Sequence, residues 1–412
     1  MAYTIVQEPT WANAYNLVSG YNEQNYVVSS TQNTQPNYQY CMDVYVNGTK
    51  IKRLKKAPHP TYGVGVFDIK GIVEPYLNYD INLTGTGGFT KNSESYATVY
   101  VIAGEEYGLP STGATYYAGA TGTTYYAINS SIEQLDFINA LVWNAQEYQM
   151  ATSASKFLTN MPRTSTLFDN QYLWLYFTHF QNYVYKCRVK TYDIDDNVIG
   201  TYIFDNSFNT PASDVTHRFL RVAAGWNLND VTLSSGTQPV LTDNVYYYIV
   251  TLVDNSNNPR SEGMTFYLDE DCTIYDIYEL HFQNALGGFD SFQFRRQNTT
   301  TSNITRKEYK KNTGSTSGGG YSVTADQRGY LSYYTASDDV ITLRSGWLKE
   351  EQFEWLKELV ESPQVFWFKD WTTTVAVNVT NTSYTVQRDT DLQLYNLEVQ
   401  IKLSVSNYRQ RY

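Results

Sequence analysis

Tyr395-Asn396-Leu397-Glu398-Val399-Gln400-Ile401-Lys402-Leu403-Ser404-Val405 alternates apolar and polar residues without an error. Period-2 alternation is the mark of a strand with one buried and one wet face. Eleven residues at about 3.3 Å each span about 36 Å, longer than the common strand. Just upstream, Leu348, Phe353, Leu356, Leu359 and Val360 recur at helical spacing, which predicts a helix over Trp347–Glu361. Ser345 or Gly346 would cap it, Glu350 and Glu351 suit its positive end, and Pro363 stops it. So short a helix is marginal alone in water and needs an apolar surface, and the buried face of the last strand is the expected one. The strand's length also suggests edge-to-edge pairing with a neighbouring copy.

The rest of the chain extends the same pattern. Tyr40–Val46 and Thr49–Leu54 flank Asn47-Gly48, a type I′ hairpin signal. Gly65–Ile69, a short apolar segment at Ile72–Leu77 and the alternating Tyr96–Ala103 follow. From about 150 a similar order recurs: Tyr183–Tyr192, a turn at Asp193–Asn197, Val198–Phe204, His217–Val222 and Tyr246–Val253. Tyr40-Cys41-Met42-Asp43-Val44 loosely matches Lys186-Cys187-Arg188-Val189, which suggests an internal duplication. A further hairpin is expected over 274–294, a short helix over Leu135–Tyr148, and strands at Val340–Arg344, Val365–Phe368, Thr374–Val379 and Ser383–Arg388. Residues 108–127 read as a surface excursion and Asn312–Gly320 as a flexible linker. Segments 108–130 and 313–335 are expected to be extended loops that order against neighbours. The fold class is mainly β: tandem Ig/fibronectin-like antiparallel β-sandwiches, then a C-terminal β unit with one amphipathic helix. The expected domains are 1–150, 151–311 and 312–412, the last an α+β oligomerisation unit with the long final strand.

Composition narrows the function. The chain has 412 residues and a net charge of −11, which argues against a specific nucleic-acid binder. Its 39 tyrosines outnumber the 30 lysines and arginines, and charged residues reach only 17%. Tyrosine favours strands and also interfaces, so the surplus fits a β-rich protein covered by partners. Cys41, Cys187 and Cys272 are an odd number without metal spacing, and read as small strand residues. The first residues lack the pattern of a signal peptide, and no apolar run approaches a membrane span.

No catalytic constellation emerges. His59, His179, His217 and His281 form no zinc motif, and His281 alternates within a strand. No phosphate-binding loop or nucleophile elbow is present. Asp193, Asp195 and Asp196 read as hairpin-turn chemistry rather than a calcium loop, because the distal bidentate Glu is missing. Asp269-Glu270-Asp271 reads as a solvated turn. The expected sets of catalytic, cofactor-binding and metal residues are therefore empty.

Four stretches in order carry a resemblance. They are Gln39–Gly48 continuing to Val66–Ile69; Phe157-Leu158-Thr159-Asn160-Met161-Pro162-Arg163; His281–Phe292; and Ser345–Leu348 through Ser362–Val365. Together they resemble virion tail, hub and ring proteins of tailed bacteriophages of the Bacteroidota, the crAss-like group included. The resemblance implies a non-enzymatic structural role in a virion tail, made in the bacterial host cytoplasm. Copies of the chain would stand in a ring or adaptor beside other tail or portal-proximal proteins. The alternatives are a carbohydrate- or receptor-binding β-sandwich protein of a tail tip, and a glycan-degrading enzyme with two carboxylates in a cleft.

Overall fold

The structure, a computed structural model, describes residues 3–9, 16–80, 87–109, 111, 113–133, 145–179, 183–209, 219–269, 273–311, 313–326, 329–370, 373–381, 395–404 and 407–408. The chain is mainly β, built of antiparallel sheets with a few short helices. It divides into two compact units, Met1–Glu270 with Gln283–Ser291, and Asp271–Phe282 with Phe292–Tyr412.

The first unit opens with β1 (Tyr3–Gln7), β2 (Leu17–Ser19), β3 (Asn25–Ser30), β4 (Gln39–Val46), β5 (Thr49–Lys56) and β6 (Gly65–Asp68). A short helix α1 (Lys70–Val73), then β7 (Phe89–Lys91), β8 (Tyr96–Tyr107), β9 (Thr115–Thr121) and β10 (Tyr125–Ile128) follow. One sheet runs β2-β10-β8-β4-β5 with β9 on the second half of β8, and the other runs β1-β3-β6. Tyr26, Val28, Tyr40, Met42, Val44, Phe67, Val99, Val101 and Tyr125 fill the core between them. Asn47 and Gly48 turn the β4–β5 hairpin at φ of 49° and 78°, as the type I′ signal predicts. Residues 115–121 and 125–128 are strands of this sheet, so their hydrogen-bond partners lie within the chain. The excursion expected over 108–127 is thereby corrected: a Tyr/Thr/Ala strand half in solvent shows no apolar face to read.

The second sandwich uses β11 (Thr164–Phe168), β12 (Trp174–Thr178), β13 (Lys186–Tyr192), β14 (Val198–Asp205), β15 (Phe219–Ala223), β16 (Tyr247–Val253) and β17 (Met264–Asp269). Its sheets run β11-β17-β16-β13-β14 and β12-β15-β7. The larger sheet repeats the first sandwich strand for strand. A parallel pair starts each one, β2–β10 and β11–β17, and a hairpin ends each one, β4–β5 and β13–β14. Stacked tyrosines mark the common register: Tyr45 on Tyr100 and Tyr192 on Tyr247, each with ring centroids 4.6 Å apart. This register aligns Tyr45 with Tyr192 and so shifts the loose match of Cys41 with Cys187 by one residue. Cys187 pairs with the core residues Phe204 and Leu252, whereas Cys41 shares the outer face with Asp43 and Tyr45. A slip of one position exchanges the faces of a strand.

The expected boundaries at 150 and 311 and the division by contacts are different partitions. β7 comes from the first half yet pairs with β15, with Thr90 opposite Arg221, and its Phe89 ring packs 5.4 Å from Phe204. The helix expected over Leu135–Tyr148 lies outside the described residues, except for a 3-10 turn at Ala145–Tyr148.

The hairpin β18 (Tyr278–Gln283) and β19 (Phe289–Phe294) gives its tip to the first unit and its base to the second. In the first unit, Asn284 holds this tip by donating to Leu158 O and Asp290 Oδ1 and accepting from the Leu286 and Gly288 N–H groups.

The second unit is one large sheet. After the hairpin base come β20 (Thr299–Lys310), β21 (Ser315–Ser317), β22 (Gly320–Ser322) and β23 (Tyr330–Leu348). Helices α2 (Glu350–Trp355) and α3 (Lys357–Glu361) precede β24 (Val365–Asp370), β25 (Thr373–Val379), β26 (Tyr395–Leu403) and β27 (Asn407–Tyr408). The order is β19-β18-β24-β25-β26-β23-β20. Tyr395, Leu397, Val399 and Ile401 are buried, and Asn396 and Glu398 are exposed, as the alternation requires. Phe353 stacks on Tyr395 at 5.0 Å, so the helix lies on the expected face.

Two expectations about this region change. The helix starts at Glu350 and breaks at Leu356, and Trp347 and Leu348 end the preceding strand. Ser345 does not cap it, because its hydroxyl accepts the Leu397 N–H at 2.9 Å and donates to Gly346 O. With Gly346 at φ 79°, Ser345-Gly346 forms a bulge opposite Leu397. Secondly, β26 sits inside its own sheet, paired with β23 from Tyr395 to Lys402 and with β25 at Ile401–Leu403. The strand expected at Ser383–Arg388 lies outside the described residues.

Phe353→Ala should lower stability by about 3–5 kcal/mol, read as a drop in the urea midpoint of the second unit, with far-UV circular dichroism otherwise retained. A second prediction concerns Asp254. The Asn258 backbone N–H, then its side chain and Arg260, outweigh the effect of burial and lower the Asp254 carboxyl to about 2. A depressed folded-state value stabilises the fold above the unfolded carboxylate range, a benefit lost as pH falls through about 2. NMR titration should place the Asp254 midpoint there; a midpoint at the ordinary 3.8 would refute the turn geometry.

Candidate functional site

The chemistry-bearing groups inside the fold are engaged by structural partners. His281 Nε2 lies 2.7 Å from Glu279 Oε1, and Glu279 Oε2 accepts from Gln293 Nε2 at 2.9 Å. Arg295 Nε donates to Gln293 Oε1, and Phe368 stacks against the His281 ring. This buried chain of polar groups crosses the β18–β19 hairpin base in the second unit and orders it. His59 Nδ1 accepts the Thr61 and Tyr62 N–H groups in a turn, and His179 is buried beside Phe177. His217, Cys272 and residues 270–271 lie outside the described residues. In the first unit the buried Arg221 guanidinium sits 4.6 Å over the Trp174 ring, with the Tyr176 hydroxyl at 3.4 Å. A cation on an aromatic face is a packing device in a dry interior.

The acidic turn is built as hairpin chemistry predicts. Asp193 Oδ1 accepts the Asp195 and Asn197 N–H groups at 2.9 and 2.8 Å, and its carboxyl is held below the usual range by bonds from the Asn197 side chain and backbone. Asp254 repeats the arrangement with Ser256 and Asn258. Tyr247 is pushed up to about 12 by burial and by the Asp196 carboxylate beside it. Among the described residues no group of three or more His, Cys, Asp or Glu is placed to hold a metal ion.

The surface that stands apart is β20 with the first half of β23. Every residue of β20, Thr299 to Lys310, is exposed. It pairs with β23 from Thr299 opposite Thr342 to Lys310 opposite Tyr330, and its other edge has no partner strand among the described residues. On the far edge of β23, β27 reaches only Ala336 and Ser337. Beyond that point the sheet is two strands wide, an arm with solvent on both faces. This stretch, Arg306–Lys310 against Tyr330–Thr335, is about 17 Å long at about 3.4 Å per residue.

β20 has two halves. Thr299–Thr305 is uncharged, and the Ser302 hydroxyl bonds Asp339 across the pair. Arg306, Lys307, Lys310 and Lys311 then put four cations around Glu308, which accepts from the Ser332 hydroxyl. Apolar surface runs between the charges. Ile304 is 53% exposed and Tyr330 65%, and Tyr309 packs near Tyr333, the extra residue of a bulge. At the far end, β21 and β22 pair around Gly318-Gly319, whose φ values of 60° and 85° make a tight turn. The linker expected at 312–320 is in this respect a small hairpin, and 330–335 of the expected loop is strand, continuous with the strand expected at Val340–Arg344. The available sequence signal was the Thr/Ile/Tyr enrichment of 299–310, since an exposed strand has no reason to alternate.

No protein-family model matches the chain, and no curated protein is a significant match to it. Among the described residues no helix is long and apolar enough to cross a membrane.

A two-stranded ribbon without a covered face is marginal in water. Hydrogen exchange on the dilute chain should find Arg306–Lys310 the least protected strand segment of the second unit and Leu397–Ile401 among the most protected. Equal protection of the two would contradict the exposed arm.

Proposed function

We propose that the chain is a non-enzymatic structural component of a bacteriophage virion, whose copies assemble into a homo-oligomeric ring or adaptor of the tail. The observation that carries this reading is the arm. All 12 residues of β20 are exposed among the described residues, and another protein surface would give its Tyr, Ile and Lys side chains cover. Exposed edges of this kind are normally shortened or covered in a chain that works alone. Tyr and Arg, the residues over-used at interface centres, are present on the arm together.

The rest of the molecule supports the same reading. Its two sandwiches have filled cores, and its buried His281, Glu279 and Arg221 hold neighbouring side chains in place. The tyrosine surplus is partly spent on these frames, in cross-strand stacks such as Tyr192–Tyr247–Tyr267. Such stacks stiffen a sheet without a large core behind them. A rigid frame with one uncovered arm suits a part that is assembled rather than one that turns over a substrate. Other tail or portal-proximal proteins would meet the remaining surface.

Light scattering on the purified chain across a range of concentrations should give a mass that rises above one protomer towards a fixed multiple. Removing the arm, with Thr305 joined to Ala336 by a short turn, should hold the protein at one protomer while both units keep their unfolding transitions. A wild-type chain that stays a single protomer while hydrolysing a glycan or peptide would refute the proposal.

A further inference from the structure

The two equivalent hairpins of the tandem sandwiches differ in a way the shared topology does not require. In the first sandwich the β4–β5 turn is Asn47-Gly48, uncharged and two residues long. Its edge strand β5 carries Lys50, Lys52, Arg53, Lys55 and Lys56 and no acid. Asp43 takes Lys50 and Arg53, and Glu106 takes Lys55, so the edge stays positive overall. In the second sandwich the turn is five residues long and holds Asp193, Asp195 and Asp196. Its edge strand β14 has no basic residue and ends at Asp205. Ile194 is 73% exposed on that turn, and Val198 and Ile199 are exposed beside it. The nearest cations, Lys186, Arg188 and Lys190, lie on the outer face of β13, where Arg188 donates to Asn257 O.

The hairpin of the second sandwich thus presents an apolar cluster ringed by carboxylates at an edge. One face of the distal arm presents the reverse, Ile304 and Tyr330 beside Arg306 and Lys310, with the one acid, Glu308, taken by the Ser332 hydroxyl. Both surfaces stand uncovered in one chain, as the exposure of Ile194 and of β20 records.

We infer that the arm of one copy docks on the β13–β14 turn of the next copy, Ile304 and Tyr330 against Ile194, Val198 and Ile199, with Arg306 and Lys310 of the same ribbon face toward Asp193, Asp195 and Asp196. The inference rests on the self-assembly proposed above and names its contact. The contact is heterologous: each copy offers an arm and a turn, and their repetition builds a ring when the rotation closes. Charge also selects between the two otherwise equivalent hairpins. The basic β5 edge repels the basic arm, and the acidic turn attracts it, so attraction and exclusion act together.

The test uses two full-length variants with changes only at exposed side chains. One reverses the arm, Arg306→Glu with Lys310→Glu. The other reverses the turn, Ile194→Lys with Asp195→Lys and Asp196→Asn, leaving the turn-forming Asp193 in place and a residue at 196 that tolerates its positive φ. Circular dichroism should match wild type for both. In sedimentation velocity at low salt, each variant alone should associate about tenfold more weakly or worse than wild type, because its own arm and turn now carry like charge. An equimolar mixture should recover association, because each variant's arm then meets the other's oppositely charged turn. A variant that assembles alone as wild type does, or a mixture no more associated than its parts, would overturn the assigned contact while leaving self-assembly standing. A wild-type chain that remains a single protomer throughout would overturn the self-assembly reading itself.

Discussion

Backbone N–H and C=O groups must find partners, and a strand in a sheet finds them on two edges. Most strands of this chain meet that requirement internally. β26 has β23 on one side and β25 on the other, and Ser345 supplies the hydroxyl that receives the Leu397 N–H where the ladder is interrupted. Among the described residues β20 does not meet it, being paired with β23 on one edge and with no strand on the other. Water satisfies the bare groups, but it leaves the apolar side chains of the arm uncovered. That contrast separates the frame of the molecule from its exposed edge.

How much of this was legible in the sequence depends on whether burial leaves a periodic trace. β26, β4, β13 and β16 alternate because one face of each meets a core, and all four could be read directly. β20 meets no core, so Thr299–Lys310 shows composition without pattern. The helix was found but its start was misplaced, because Ser345-Gly346 has the chemistry of a cap and of a bulge alike. Only the position of Leu397, 52 residues away, decides between them. The arm's exposure was invisible for the same reason as its fold: nothing local says that a strand lacks a second neighbour.

The duplication shows what is preserved when a fold is used twice. Strand order, the parallel starting pair and the stacked tyrosines recur, because they fix register and fill space. The turns and edge strands diverge in length and charge, because no core constrains them. Sequence similarity between the halves is accordingly faint, and its most visible point, the two cysteines, is out of register by one residue. Equivalent frames with unlike rims give one chain two distinguishable edges.

The loan of β7 to the second sandwich makes the halves unequal in a further respect. A fragment cut at residue 150 would strand Phe89 on the wrong piece, leaving β15 with a bare edge and Phe204 without its neighbouring ring. The front fragment would meanwhile trail a short strand with nothing to bind. Despite their matching blueprints, the two sandwiches are not interchangeable modules, and shuffling either one into another protein would break the other.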